Sequence, residues 1–287
     1  MDEFCVDVGG QRIRCLTAGG GRPLLLCHGF LSSAEEFGGR FQALAAHRLL
    51  IVPDLPGNGG SPPMASRHTV EGLAASLERL LAHLDIVEFD LAGLCLGASV
   101  ASALARRCGD RVERLVLHTP LVSPQLVRRL YREQVRILTM PPLWQGVVAL
   151  SRSRTVSNLY KRFVIAEGDV DSRTAQANFD NQRRADPSAA REWLRDGVRR
   201  GDLAALLQRK GPTLVIVAAR DNVVRVDELQ WLIADRPNIS LFVDREQGHG
   251  WNEAAVQRQL NVMLDFFAAD TEQLVPISEQ EAHRLTA

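Results

Sequence analysis

Lysine is nearly missing from this chain. Only Lys161 and Lys210 occur among 287 residues, so the basic side is almost wholly arginine, a compositional trait more than a functional one. A net charge of one sign is missing too. The 34 Lys+Arg residues face 34 Asp+Glu, which excludes a global basic field for nucleic acid. No apolar run approaches the roughly 18 residues that span a bilayer. The acidic start Met1-Asp2-Glu3 is unlike a secretory signal, so no membrane partner is expected. The five cysteines (Cys5, Cys15, Cys27, Cys95 and Cys108) form no C-x-x-C pair. Neither a zinc site nor a disulfide framework is indicated, and a reducing cytoplasm is the expected compartment. There is no G-x-x-x-x-G-K loop, no dinucleotide fingerprint after the first strand and no metal-ligand cluster, so no cofactor and no metal are expected. Internal repeats and low-complexity segments are absent as well.

What is present is ordinary globular composition, 46% apolar and 24% charged. The length suits one large domain, or one domain carrying an insertion. Residues 4–8 and 11–17 read as a hairpin joined by Gly9-Gly10. Unalternating apolar runs follow at 24–27, 49–52, 87–92 and 115–117, and later at 213–218 and 239–243. Such runs suit strands buried on both faces of a parallel sheet. Helical patterns lie between them. Leu73, Leu77, Leu80, Leu81 and Leu84 form one stripe, and Ser32-x-x-Glu35 resembles a capping box before a helix near Phe37–His47. A helix from Leu96 to Cys108 can stop at Gly109. A closing helix spans 253–268, with Val256, Leu260, Met263 and Phe267 on one face. This alternation predicts a doubly wound α/β core over 1–120 and 209–270.

Residues 121–208 differ. They read as helical, Arg-rich and without parallel-strand runs. Residues 121–210 hold 17 basic against 9 acidic side chains, a local charge of +8 that leaves −8 on the rest. Residues 271–287 lack an apolar period and are expected to be a loosely attached tail.

The strongest local signal is Gly93-Leu94-Cys95-Leu96-Gly97, between a buried strand and a helix. It is the G-x-nucleophile-x-G elbow with cysteine where serine is usual. A sharp strand-to-helix turn leaves no room for side chains at the flanking positions. The helix N-terminus behind it favours a thiolate and a developing oxyanion. The bland alternative is a chance glycine pair around a buried thiol. Two further motifs stand at strand ends, His28-Gly29-Phe30 and Asp54-Leu55-Pro56-Gly57-Asn58-Gly59-Gly60-Ser61.

With these motifs the chain resembles the α/β-hydrolase fold superfamily. The resemblance covers roughly 1–120 and 211–268 and departs from the usual pattern at Asn58, where His is common. It implies a mostly parallel sheet of about eight strands with helices on both faces, and a helical cap at 121–208. It also implies the order nucleophile, acid, base, carried here by Cys95, Asp221 (in Ala219-Arg220-Asp221-Asn222) and His249 (in Gln247-Gly248-His249-Gly250-Trp251). The backbone N–H groups of Phe30 and Leu96 are the implied oxyanion donors. Asp227 and Asp244 compete as acids but suit cap or surface roles. His28, His118, Trp144 and Trp251 are candidate pocket residues; for His28 and His118 a bracing role competes with that one. The stretch Leu143, Trp144, Val147, Val148, Leu150 suits either an acyl substrate or cap-to-body packing.

Superfamily members with a similar Cys elbow include dienelactone hydrolases, polyester synthases and some thioesterase domains of assembly lines in secondary metabolism. The implied activity is acyl transfer through an acyl-cysteine, with hydrolysis of an ester, lactone or thioester as its first form. An acyltransferase or cyclase acting on a carrier- or CoA-bound substrate is the second. A non-covalent lyase or isomerase, or a binding protein, is the third. The expected partner is a small acyl substrate. The basic insertion also suits an acidic acyl carrier protein or CoA thioester, although Arg-rich helices can simply solvate their outer faces.

Overall fold

A computed structural model describes residues 1–164, 172–250 and 252–268. The expected tail at 271–287 and the pocket candidate Trp251 lie outside the described residues.

The strands are β1 (Asp2–Asp7), β2 (Arg12–Ala18), β3 (Pro23–Cys27), β4 (Leu49–Pro53), β5 (Phe89–Leu94), β6 (Val112–His118), β7 (Thr213–Ala218) and β8 (Ile239–Asp244). They form one eight-stranded sheet in the order β1-β2-β4-β3-β5-β6-β7-β8. The β1–β2 and β2–β4 pairs are antiparallel, and every other neighbouring pair is parallel. The mostly parallel sheet agrees with the sequence reading, including the hairpin across Gly9-Gly10, both at positive φ. The run expected at 87–92 is displaced by two residues. Val87 stays exposed, and the strand instead continues through Gly93 and Leu94.

The unalternating runs are explained by two cores, one on each face. In β3, Leu25 and Cys27 join one cluster while Leu24 and Leu26 join the other. In β7, Val215 and Val217 split from Leu214 and Ile216 in the same way. The first cluster takes Leu73, Leu77 and Leu80 of α2 (Val70–His83) and Val100 and Leu104 of α3 (Leu96–Cys108). The second takes Phe37 of α1 (Ala34–Arg40) and Leu260, Met263 and Phe267 of α11 (Glu253–Ala268). Period-2 side chains on strands covered on both faces leave no position for a polar alternation. The first helix departs from expectation. Its cap is Ser33, whose Oγ accepts the Glu36 N–H, not Ser32, and the α-helix ends before Phe41, with a 3-10 turn at Gln42–Ala46. Ser32 instead donates from its hydroxyl to Glu36.

Between β6 and β7 the described residues form α4 (Arg129–Leu138), α5 (Pro141–Ser151), α6 (Arg154–Val164), α7 (Ser172–Arg184), α8 (Pro187–Gly197) and α9 (Leu203–Gln208). Helix α10 (Val226–Ile233) joins β7 to β8; its cap position is Arg225, with no side-chain cap bond, and Asp227 lies inside the first turn, where a carboxylate meets the positive end of the helix dipole.

The topology itself locates a crevice. The chain leaves β3 for β4 on one side and returns to β5 on the other. At such a reversal the connections diverge, leaving an opening beyond the carboxyl ends of the two strands. His28-Gly29-Phe30 follows β3 there, and Cys95 follows β5.

Candidate active site

Cys95 is the residue that turns β5 into α3. Its backbone sits at φ 52° and ψ −116°, a region that L side chains rarely adopt. Such a conformation costs of order 1–3 kcal/mol and persists only where its surroundings enforce it. The surroundings here are hydrogen bonds from the Cys95 N–H to the His118 carbonyl (2.9 Å) and from the Ala98 N–H to the Cys95 carbonyl (3.1 Å). Leu31 (φ 57°) and Thr119 (φ 41°) share this left-handed region, one beyond β3 and one beyond β6. Strain is thus gathered at the carboxyl ends of three adjacent strands.

The flanking glycines are required by close approach. A Cβ on Gly97 would run into the Cys27 and His28 carbonyls, and one on Gly93 into the backbone and side chains of α3. Gly97 therefore lets the start of α3 lie directly against the chain leaving β3. The Leu96 N–H, at the first position of α3, has no intrahelical acceptor, and it is brought to the segment that carries Phe30. Gly97→Ala is expected to cost about 2–3 kcal/mol, because the clash is with backbone and cannot be relieved by a rotamer change. A urea midpoint unchanged from wild type would refute this account of the packing.

Asp221 and His249 complete the cluster. Asp221 is buried in the loop after β7. Its Oδ1 accepts the N–H groups of Val223 (2.6 Å) and Val224 (2.8 Å), and its Oδ2 lies 2.8 Å from His249 Nδ1. His249 Nε2 lies 3.1 Å from Cys95 Sγ. Residues 154 positions apart in sequence are thus joined in one line: carboxylate, imidazole, sulfur. Burial alone would raise the Asp221 pKa, but His249 and the two N–H donors hold it below the ordinary carboxylate value. Burial alone would lower that of His249, but Asp221 and the Cys95 sulfur outweigh it, and the imidazole is raised well above its usual value. The buried Asp221 carboxylate thus favours the charged form of the imidazole beside it.

His118 is buried beside this line. Burial, and then His249, push its pKa down to about 3, against the pull of Asp221. It is neutral at any ordinary pH, and its carbonyl fixes the Cys95 backbone.

For His28 the bracing role holds over the pocket one: its Nδ1–H donates to the Gly29 carbonyl (2.8 Å) and its Nε2 accepts the Leu55 N–H (2.9 Å), so both ring nitrogens are committed to the loop. Two other expectations are corrected. Trp144 is not brought to the cluster. Its indole N–H donates to the Pro187 carbonyl, and it lines a groove between α5 and α8 that contains none of Cys95, Asp221 and His249. Asp244 is no surface residue. It is buried and held by Arg258 of α11 through both carboxylate oxygens. Asp54, in the glycine-rich turn, has a structural part. Its carboxylate accepts the N–H groups of Ala34 and Gly60, each at 2.7 Å, and pairs with Arg14.

Two contributors were missed by sequence reasoning. Trp193 of α8 packs edge-on against Phe30 (6.1 Å between ring centroids) and His28 (6.4 Å). Gly197, one turn on, lies so close to the Leu96 side chain that a Cβ would collide with it. The buried set Ala189, Ala190, Trp193, Leu194 and Gly197 has helical spacing, and that stripe was the signal available. Residues 126–128 are stitched to the Asp221 loop as well. Arg128 Nε donates to the Asp221 carbonyl (2.9 Å), Val127 forms a bridge with Val224, and the Arg225 N–H donates to the Leu126 carbonyl (2.7 Å).

A mostly parallel sheet whose central strand turns sharply into a helix at the cysteine of a G-x-C-x-G sequence has the architecture of the α/β-hydrolase fold. The chain belongs to the alpha/beta hydrolase fold family, whose profile matches residues 22–252. Over 113 residues (39% of this chain and 30% of the relative) it is 38% identical to the dihydrolipoyllysine-residue acetyltransferase component of the acetoin cleaving system of Pseudomonas putida. Over 110 residues (38% of each chain) it is 34% identical to the soluble epoxide hydrolase of a Corynebacterium species. The chain thus spans under two fifths of the length of either relative. Among solved structures, bromoperoxidase from Bacillus anthracis is similar with a TM-score of 0.78 at 19% identity, over 94% of this chain and all of that one. That likeness is one of fold.

Proposed function

We propose that this chain cleaves an ester, lactone or thioester through an acyl-cysteine at Cys95. The observation that carries the reading is the line from Asp221 through His249 to Cys95 Sγ, at 2.8 and 3.1 Å, ending on a sulfur held at a strained turn. His249 Nε2 takes the thiol proton as Sγ attacks the acyl carbonyl carbon, and the carbonyl electron pair moves onto oxygen. The N–H groups of Phe30 and Leu96 receive that oxyanion. As it collapses, the bond to the leaving group breaks, and the leaving oxygen or sulfur takes the proton from His249. Water, deprotonated by His249, then attacks the thioester carbon, and Cys95 departs as a thiolate that His249 reprotonates. Asp221 keeps the imidazole oriented and balances its charge throughout. Helices α4–α9 act as the cap over this face, with Trp193 and Gly197 packed on the two donor segments.

Intact-mass measurement after brief exposure to p-nitrophenyl acetate tests the reading. One acetyl adduct is expected on the wild type, mapping to Cys95 and missing from Cys95→Ala. An adduct that survives in Cys95→Ala, or turnover that survives it, would show the acyl-cysteine scheme to be wrong.

A further inference from the structure

Helices α4–α6 carry most of the large apolar side chains left exposed among the described residues. Among the described residues, seven of the ten large apolar side chains that are exposed lie between positions 130 and 159, among them Leu130 (84% exposed), Leu150 (59%) and Leu159 (58%). Helix α5 is the extreme case. Its sequence PPLWQGVVALS is mostly apolar, yet none of its eleven residues is buried. The groove along this stretch contains none of Cys95, Asp221 and His249. Isolated exposed leucines are ordinary, but a contiguous apolar face on a folded domain marks a surface with a partner.

The charges around the face say what kind. Residues 128–159 contain six arginines and a single acid, Glu133. Arg129 and Arg136 on α4 and Arg152 and Arg154 at the α5–α6 junction are all exposed. A groove of about 430 Å³ opens along α5, with Trp144, Val148 and Pro187 on its walls and Arg152 and Arg191 among its lining. A second copy meeting this face isologously would set the same arginines against each other. An apolar layer with anionic groups just above it matches the pattern from both sides. Arginine suits such a boundary, because its stem can cover apolar surface while its guanidinium stays among polar groups, and so does a half-buried Trp with its N–H on a carbonyl.

We propose that α4–α6 dock on an anionic lipid surface, lying in its plane. The inference is independent of acyl chemistry at Cys95. It departs from the absence of a membrane partner expected above, and the reason is physical. The apolar residues are spread over three short helices, so no long run exists to be seen. No helix among the described residues is long and apolar enough to cross a bilayer, and an eleven-residue α5 is about half the length a span needs.

The test is flotation of the whole chain with phosphatidylcholine vesicles, with and without about one third phosphatidylglycerol. The bound fraction is expected to rise several-fold with the anionic lipid and to fall in high salt. Leu143→Ser with Leu150→Ser, and separately Arg129→Gln with Arg152→Gln, should each weaken binding at least tenfold. Both pairs are on the surface, so p-nitrophenyl ester turnover in solution should stay unchanged; this separates failure of the docking from failure of the acyl-cysteine reading. No binding to either vesicle overturns the proposal. So does a dimer in analytical ultracentrifugation that the Leu143→Ser/Leu150→Ser pair dissociates, which would assign the face to a second copy.

Discussion

Replacing Cys95 with alanine is expected to lower kcat on an activated ester by about 10,000-fold or more while leaving the fold in place. The substitution removes one sulfur from a half-buried position and keeps the Cβ, so packing changes little. The φ of 52° stays as strained for alanine as for cysteine, and the hydrogen bonds that enforce it are made by backbone atoms alone. Thermal midpoints of the two proteins should therefore agree within a few degrees. What is lost is the atom on which the acyl group would rest. Water activated by His249 would remain as the only attacking group, without the effective molarity of an atom already in place. Comparable kcat values for the two proteins would move the chemistry elsewhere.

Asp221→Asn is expected to be nearly as damaging, by about 10,000-fold, for a reason visible in the hydrogen bonds. Oδ1 of Asp221 accepts two N–H groups from Val223 and Val224. An asparagine here must place its oxygen on those donors, so its NH2 faces His249 Nδ1. The ring is then forced into the tautomer with hydrogen on Nε2, and the nitrogen 3.1 Å from Cys95 Sγ can no longer accept a proton. The same substitution alters stability with a definite sign. Asp221 has a lowered pKa, so its ionic contribution is present above the unfolded carboxylate value and fades as pH falls through the folded one. His249 has a raised pKa, so its contribution is complete below the unfolded imidazole value and fades as pH rises through the folded one. The wild type's advantage in Tm over Asp221→Asn should thus be largest between about pH 4 and 6.5, shrinking on both sides. A difference that grows steadily toward alkaline pH would contradict this electrostatic account.

Much of this was legible in the sequence because it rests on short-range constraints. Leu24–Cys27 and Thr213–Ala218 had to be doubly covered strands, since no face of either run is polar. Gly93 and Gly97 marked a turn too crowded for side chains, and the structure shows the carbonyls that crowd Gly97. The order of Cys95, Asp221 and His249 followed from the resemblance and from strand ends, and all three side chains meet. What failed or stayed open depended on contacts between distant segments. That His28 spends both ring nitrogens on the loop is decided by Leu55, which no spacing rule relates to it. Trp144 and Trp193 have similar local settings, a tryptophan in an insertion helix, yet only Trp193 faces Phe30. The helix crossing that separates them is set by tertiary packing. Ser33 displaced Ser32 as the cap of α1, an error of one residue typical of helix starts.

The fastening of residues 126–128 to the Asp221 loop gives the insertion a fixed pivot. Arg128 holds the Asp221 carbonyl, and the Val127–Val224 bridge runs alongside. Helix α4 begins at the next residue, so the insertion sets out from a point tied to the carboxylate's own loop, and a change at either segment is felt directly by the other.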